Sequence, residues 1–379
     1  MLASKEDNRA VCREEASQGR TSLSCRPLAF WLDLTGRCSL QCRHCAYRKS
    51  GRTSDVEMSE DIYRKVVTEV LPTAYICHLG GTNYGEMTLA SRFHTFVRDC
   101  LKHEVRMNLT TNGTIVSDEW LPDLVQAAAV VGFSMEGMEE QYELIRGASW
   151  TRFLHNCQRY VEARARTGST VRLEWRFCAH ADNIHQLPLL IRKAKEIGIN
   201  RIKVMSLIPF VPSQKYKQLS YHRSLANRYF AESKAVADEV GIDVNVPALM
   251  DTGTWELPQA DAAPAVVALK RCYFPWQMCS INELGDVRPC DVYWRSMGSI
   301  RSGSFARVWN GWRYQRLRRN VNRHTCDLCR SCRMPRFGQG GMGDWQSKPG
   351  LKEVARSLLT GWRRPGTSYV GAVTEPPDV

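Results

Sequence analysis

The stretch "LTGRCSLQCRHCAYRKSG", residues 34–51, places three cysteines, Cys38, Cys42 and Cys45, on one short segment. It continues directly from the run "LAFWLDL" (28–34), whose apolar and aromatic residues favour a β-strand. From there to about residue 210, short β-type runs alternate with amphipathic helical patterns. Such alternation is typical of βα units on a parallel sheet. We therefore expect the cysteines to follow the first strand of that sheet.

Five more strands are predicted, over 74–80, 106–112, 130–136, 171–178 and 201–208, each separated from the next by a helical segment. Six units favour an α/β fold with a partial (β/α)6 TIM-like barrel over an open doubly wound sheet. The active sites of such barrels lie at the carboxyl ends of the strands. The cysteine segment is therefore expected at the mouth of the barrel.

The chain has 379 residues, 43% of them hydrophobic and 24% charged, which is typical of a soluble globular protein. No apolar run approaches the roughly 20 residues of a membrane span, so we expect no membrane association. The polar N-terminus lacks the apolar core of a secretory signal, which predicts a flexible tail over 1–27 and a cytoplasmic location. The barrel is expected over 28–255, a second domain over 256–340, and a C-terminal helix and tail over 341–379.

Fifteen cysteines in a cytoplasmic chain indicate metal binding or catalysis rather than disulfides. The net charge of +13 is spread along helical segments and has no interleaved aromatic pattern, so a nucleic-acid partner is not expected. A solvated basic surface is the favoured explanation of that charge, and an anionic small ligand is the next alternative. Structural zinc normally takes four protein ligands, whereas a [4Fe-4S] cluster on three thiolates keeps one iron open. His44, zinc and unrelated free thiols remain alternatives for the segment.

The segment resembles the signature CxxxCxxC of the radical SAM superfamily, in which three cysteines hold a [4Fe-4S] cluster. "HLGGTNYGEMTL" (78–89) resembles the glycine-rich motif of that family, although Thr82 to Tyr84 are inserted before Gly85. "LTTNG" (109–113) and "FSMEG" (133–137) resemble the endings of its third and fourth strands. The resemblance implies S-adenosylmethionine (SAM) binding by Gly80, Gly81, Glu86, Asn112, Ser134 and Glu136. Arg176 is either a further SAM contact or a structural ion-pair partner.

The resemblance implies that SAM binds the open iron and is cleaved by one electron to a 5'-deoxyadenosyl radical. That radical removes a hydrogen atom from a substrate C–H bond. The protein positions the reactants and excludes water, a task that mostly apolar barrel strands would suit. An electron donor such as flavodoxin or ferredoxin is implied as a partner.

A second group of cysteines lies in "CYFPWQMCSINELGDVRPC" (272–290) and "CDLCRSC" (326–332). It resembles the SPASM and twitch extensions of radical SAM enzymes, which carry auxiliary [4Fe-4S] clusters. We expect one auxiliary cluster, held by Cys272 and Cys290 with two of Cys326, Cys329 and Cys332. A zinc ribbon is the alternative, because spacing alone does not separate the two metals.

Members with such extensions oxidise alcohols or thioethers, crosslink peptides, or epimerise carbon centres. Only 27 polar residues precede the first strand, which we interpret against a leader-binding module and hence against a peptide substrate. The compact form with one auxiliary cluster resembles members that tailor sugars and aminocyclitols in antibiotic biosynthesis, and this resemblance implies epimerisation of such a substrate. Cys178 or Cys279, expected at the barrel mouth, would return the hydrogen atom. Dehydrogenation of an alcohol carbon, modification of a peptide as in RiPP or sulfatase maturation, and a non-catalytic nucleic-acid module are the alternatives.

Overall fold

The structure is a computed structural model that describes residues 4–45, 55–80, 85–207, 212–251, 272–290, 293–323 and 329. Its strands form one sheet of ten. In chain order they are β1 Ala29–Leu32, β2 Ile76–Leu79, β3 Arg106–Thr111, β4 Ala128–Met135, β5 Arg172–Ala179, β6 Arg201–Ser206, β7 Asp243–Asn245, β8 Met278–Ile281, β9 Asp286–Arg288 and β10 Gly298–Ser299.

Longer helices precede, connect and follow these strands. They are α1 Lys5–Ser17, α2 Glu60–Glu69, α3 Phe93–Lys102, α4 Leu121–Ala127, α5 Glu139–Arg146, α6 Trp150–Thr167, α7 Leu187–Ile197, α8 Arg223–Val240 and α9 Trp312–Asn320. Shorter α-helical turns are Pro212–Lys215, Phe274–Gln277 and Phe305–Trp309. Single 3₁₀ turns are Leu71–Thr73, Met87–Leu89, Ile184–Gln186, Leu219–Tyr221 and Val321–Arg323. None of the helices in the described ranges is long and apolar enough to cross a bilayer.

The order of strands along the sheet explains its shape. It runs β10-β9-β8-β1-β2-β3-β4-β5-β6-β7, and every pair from β8 through β7 is parallel. Strands that follow in sequence order, joined by right-handed crossovers, place all their helices on one face, and the sheet curls into a barrel. A doubly wound sheet would reverse its order once. The α/β partial barrel and its six predicted strands are confirmed.

The N-terminus differs from the expected flexible tail. Residues 5–17 form α1, which begins at Ser4, whose side chain accepts a hydrogen bond from the Asp7 amide. Its buried side chains include the polar Asn8 and Glu15. Asn8 pairs with the backbone of Arg26, and Glu15 accepts hydrogen bonds from Ser24 and the Cys25 amide. The prediction was wrong because the buried face of this helix is held by polar contacts, which a hydrophobic pattern does not reveal.

The expected domain limits at residues 255 and 340 lie outside the described residues and stay predictions. Part of the second domain nevertheless joins the sheet of the first. Strand β8 pairs with β1 in parallel register, Phe30 opposite Cys279, and β9 turns back antiparallel on β8. Arg318 of α9 donates hydrogen bonds to the carbonyls of Pro275 and Thr21. The N-terminal segment, the barrel and the C-terminal segment therefore share one core.

The two faces of the sheet differ in chemistry. On the face towards the helices, Phe30, Leu79, Leu109, Phe133 and Phe177 are buried in the apolar core. Side chains alternate between faces along a strand, so the neighbouring positions point into the barrel. Those positions include the apolar Val130 and Met205, but most of them carry polar, charged or mixed side chains: Trp31, His78, Asn108, Thr110, Ser134, Glu174, Arg176, Cys178 and Lys203. The barrel interior is therefore mostly polar and partly charged, which differs from the expected apolar lining.

Candidate functional site

The segment with the first three cysteines lies at the carboxyl end of β1. Its base is fixed because the amides of Gly36 and Met58 donate to the carbonyls of Val56 and Leu34. Further along, the amide of Arg43 donates to the carbonyl of Ile145 at the end of α5, at 2.9 Å. Cys38, Cys42 and Cys45 are each partly buried and unpaired by disulfides. The three thiols thus stand at the barrel mouth, as the sequence predicted.

A buried cation lies beside these thiols. Burial raises the pKa of Cys42 to about 11, while the Arg146 guanidinium acts in the opposite direction and the neighbouring thiols Cys38 and Cys45 add to the rise. Burial likewise raises the pKa of Cys38, again opposed by Arg146. Arg146 is only 6% exposed. A fixed positive charge in this place stabilises thiolates, which are the form that binds metal.

Arg146 and His44 share one carboxylate, that of Glu136. The Glu136 side chain is 3% exposed, and its oxygens lie 3.2 Å from His44 Nε2 and 3.3 Å from the Arg146 guanidinium. Burial opposes ionisation, but Arg146 and His44 outweigh it and hold the pKa of Glu136 below its usual value. Glu136 therefore ties the cysteine segment to the end of β4. His44 faces this carboxylate, which does not favour His44 as a fourth metal ligand. Contact of Glu136 with SAM stays a prediction.

The glycine motif begins at the end of β2. Gly80 has φ +70°, and a Cβ there would stand 2.6 Å from the carbonyl oxygen of Thr110, so only glycine fits. Gly81 lies outside the described residues. Glu86 is 3% exposed, and its carboxylate accepts hydrogen bonds from the Asn112 amide, Thr111 Oγ1 and Thr88 Oγ1 at 2.6, 2.7 and 2.8 Å. Glu86 thus fixes the motif against β3, and a direct role in SAM binding stays a prediction.

Asn112 connects β3 to the cysteine segment. Its Nδ2 lies 3.2 Å from Ser39 Oγ and 3.9 Å from Cys38 Sγ, and its Oδ1 accepts from the Thr114 amide at 2.9 Å. The sequence singled out Asn112 for SAM binding. The structure brings it to the thiols themselves, where it orients Cys38.

Ser134 and Arg176 lie opposite each other on β4 and β5, inside the barrel. The Arg176 guanidinium crosses over Gly132, where a Cβ would stand 2.1 Å from Nε. It donates to Glu174 Oε1 at 2.9 Å and to Thr110 Oγ1. Arg176 is therefore an ion-pair partner within the barrel. Its contact with SAM, like that of Ser134, stays a prediction.

The two candidate hydrogen donors fall on opposite faces of the sheet. Cys178 follows Glu174 and Arg176 in the inward-facing positions of β5 and is partly exposed. Cys279 pairs with Phe30 on the face towards the helices and is fully buried. The prediction that Cys279 lies at the barrel mouth is wrong, because alternation on β8 turns its side chain into the apolar core.

The described C-terminal cysteines are partly buried against the same core. These are Cys272, Cys290 and Cys329, whereas Cys326 and Cys332 lie outside the described residues. Asn322 accepts from the Cys272 amide at 2.7 Å and donates to its carbonyl at 3.3 Å. Cys272 is therefore positioned by the turn that follows α9. Which of these cysteines hold the auxiliary cluster stays a prediction.

The chemistry of the donor set fits an iron–sulfur cluster at the first site. Among the described residues, no three Cys, His, Asp or Glu side chains are already drawn into the arrangement of a bound metal ion. The three thiols share one segment, however, and Asn112 and Arg146 supply a hydrogen-bond donor and a positive charge beside them. Sulfur ligands with such surroundings are typical of these clusters.

Comparison with known families identifies both domains. Residues 32–173 match the model of the radical SAM superfamily, and residues 272–333 match the SPASM iron–sulfur cluster-binding domain. This chain belongs to the radical SAM superfamily. SAM and a [4Fe-4S] cluster, with auxiliary iron–sulfur binding in the SPASM domain, are therefore its cofactors.

Relatives of established function extend over most of this radical SAM protein. The tungsten-containing aldehyde ferredoxin oxidoreductase cofactor-modifying protein of Pyrococcus furiosus is 23% identical over 80% of this chain and 86% of its own. The PqqA peptide cyclase of Bradyrhizobium diazoefficiens is 25% identical over 83% of this chain and 81% of its own. The AdoMet-dependent heme synthase of Methanosarcina barkeri is 23% identical over 80% and 88%.

Solved structures share the fold. Streptococcus suis SuiB bound to its precursor peptide SuiA superposes with a TM-score of 0.56 at 15% identity, covering 86% of this chain and 75% of that one. The protein anSMEcpe with bound AdoMet and a peptide gives the same TM-score at 17% identity, covering 88% and 95%. At these identities the likeness is one of architecture.

Sequence reasoning missed Arg146, His78 and Asn108. Arg146 lies in "YELIRG" (142–147), whose helical pattern does not show that this arginine is buried beside the thiols. His78 and Asn108 occupy inward-facing positions of β2 and β3. The alternation of polar and apolar residues along β3 was the available signal, but it is also the pattern of a solvent-exposed strand.

Proposed function

We propose that this radical SAM enzyme removes a hydrogen atom from a residue of a peptide or protein substrate. The observation that carries the proposal is the position of the three thiols at the mouth of a barrel whose interior is polar. Such an interior suits a substrate with many hydrogen-bonding groups. The PqqA peptide cyclase relative, and the bound peptides in two structures of the same fold, favour a peptide.

When bound, the cluster and SAM supply a 5'-deoxyadenosyl radical. Cys38, Cys42 and Cys45 are the ligands, Arg146 stabilises their negative charge, and Asn112 orients Cys38. Gly80 allows the backbone to bend at the end of β2, Glu86 holds the motif against β3, and this segment would contact SAM when SAM is bound. An external reductant such as flavodoxin or ferredoxin would deliver the electron. The cytoplasmic location of the protein stays a prediction.

The sugar or aminocyclitol epimerase expected from the sequence finds no counterpart among the relatives named above, so we no longer favour a carbohydrate. Epimerisation itself keeps one supporting observation. Cys178 is a thiol on the interior face, where it could return a hydrogen atom to a substrate carbon. Epimerisation of a peptide residue is therefore the second candidate, and it predicts deuterium uptake at carbon in deuterated water without a change of oxidation state.

The proposal is tested with the reconstituted holoenzyme under anaerobic conditions, SAM, dithionite and pools of short peptides carrying deuterated residues. We expect mass spectrometry to find deuterium in 5'-deoxyadenosine with at least one pool. A protein with Cys38, Cys42 and Cys45 replaced by alanine is the control and should give none. Deuterium transfer from labelled glycosides but from no peptide pool would refute the proposed substrate class.

A further inference from the structure

Three inward-facing side chains form a continuous wall inside the barrel. Trp31, His78 and Asn108 occupy matching positions on β1, β2 and β3. The rings of Trp31 and His78 stack with centroids 4.8 Å apart and planes inclined by 19°. Asn108 Nδ2 lies 3.5 Å from His78 Nδ1. The imidazole is thus held between an aromatic ring and an amide.

The outer atoms of this pair are left without partners. Within the described residues, His78 Nε2 and Asn108 Oδ1 are buried and make no hydrogen bond, and Asn108 as a whole is only 4% exposed. If Asn108 Nδ2 donates to Nδ1, then Nε2 carries the proton, so the free atoms are one donor and one acceptor. If the Asn108 amide is rotated by 180°, its free atom is the donor Nδ2 and His78 Nε2 is the acceptor, so one donor and one acceptor are again free. Buried polar atoms of this kind are unfavourable until something pairs with them.

The imidazole is uncharged at neutral pH. Burial, together with the nearby positive charges of Arg176 and Lys203, lowers the pKa of His78 to about 3. The wall therefore offers a neutral donor and a neutral acceptor. A carboxylate or phosphate needs donors only, whereas an amide needs one of each. The chemistry fits an amide group.

The same face opens towards the thiols. Thr110, Ser134 and Cys178 on the inward positions of β3, β4 and β5 are partly exposed, so the interior is not filled at its mouth. His78 lies two residues before Gly80, which corresponds to about 7 Å along a strand. A group held at His78 would therefore present the next one or two residues of an extended chain to the strand ends.

We propose that His78 and Asn108 form a subsite that holds one backbone amide of the substrate, with Trp31 supporting the imidazole. This inference rests on the proposed function and adds how a peptide is positioned. The subsite binds the main chain of the peptide rather than a side chain, so it fixes the register of the peptide relative to the thiols.

The test uses the holoenzyme and a peptide found by the deuterium-transfer screen. In a series of analogues, one amide at a time is replaced by an ester, which removes the N–H donor. At one position we expect kcat/KM to fall about tenfold, as for one neutral hydrogen bond. That loss should disappear in Asn108→Leu if Asn108 Oδ1 is the acceptor, or in His78→Phe if His78 Nε2 is the acceptor. It should persist in Asn227→Leu, an amide on α8 that pairs with Met250.

The outcomes separate the two proposals. The subsite is supported if one ester position lowers kcat/KM in wild type and the same ester causes no loss in one of these variants. An iron content equal to that of wild type shows that the variant is folded. Equal ester losses in wild type and every variant, or no sensitive position in wild type, would overturn the subsite while the peptide activity stands. Absence of deuterium transfer from every peptide would overturn the proposed function, and the subsite with it.

Discussion

Replacing Glu86 by Met tests how the glycine motif is fixed against β3. Three donors meet at the buried carboxylate, the Asn112 amide and the hydroxyls of Thr111 and Thr88. The backbone amide cannot turn away, so it stays buried and unpaired, at a cost of about 1–3 kcal/mol. Each hydroxyl adds about 1 kcal/mol for its lost bond. We expect the free energy of unfolding to fall by about 3–5 kcal/mol.

Glu86→Gln is the matched variant. Its amide oxygen can still accept from the Asn112 amide, and the threonine hydroxyls can rotate to accept from its NH₂ group, so we expect a loss of only about 1 kcal/mol. Glu162→Met, at an exposed position of α6, controls for the substitution itself. Urea unfolding of the apoprotein under reducing conditions measures all three. If the free energies of unfolding of the Met and Gln variants differ by less than about 1 kcal/mol, Glu86 does not act through these hydrogen bonds.

Further predictions concern the barrel and the thiols. Burial lowers the pKa of His78 in the folded protein to about 3, whereas a histidine in the unfolded chain has a pKa of about 6.5. As the pH falls from 7 to 5, the unfolded state is therefore protonated first, and wild type should lose about 2 kcal/mol of stability. His78→Phe should not show this loss, and urea titrations at both pH values measure it. Gly80→Ala should destabilise the protein by about 2 kcal/mol or more, because its Cβ meets a backbone carbonyl at φ +70°, and thermal unfolding measures this. Cys42→Ala should lower the iron content after reconstitution, whereas Cys157→Ala, at a buried thiol of α6, should not. Cys178→Ala should abolish deuterium uptake from solvent if the enzyme epimerises, and an unchanged uptake would exclude Cys178 as the donor.

The strands of the barrel were predictable because their core-facing residues are strongly apolar. "VRLEWRFC" (171–178) alternates buried Leu173, Trp175 and Phe177 with polar residues, and each lies where the alternation puts it. The same alternation could not tell whether Glu174 and Arg176 face water or a barrel interior. That depends on closure of the sheet, which involves contacts among strands far apart in sequence.

Two features depended on contacts that the sequence does not encode locally. Cys279 was expected at the barrel mouth, but β8 pairs with β1, which lies far earlier in the chain, and this pairing decides which face the thiol occupies. Helix α1 has few apolar residues, and polar contacts with residues 24–26 hold its buried face. The cysteine spacing, by contrast, is local, and it was sufficient to indicate the cluster segment.

The pairing of β8 with β1 has a consequence for synthesis of the chain. Strand β1 leaves the ribosome early, yet one of its edges stays open until residues 278–281 have been made. At about 5–20 residues per second, that interval is roughly 10–50 seconds. During this time a nascent barrel exposes an unpaired apolar strand next to three cysteine thiols. Expression yield should therefore depend on chaperones and on iron supply during translation, more than on the stability of the finished protein.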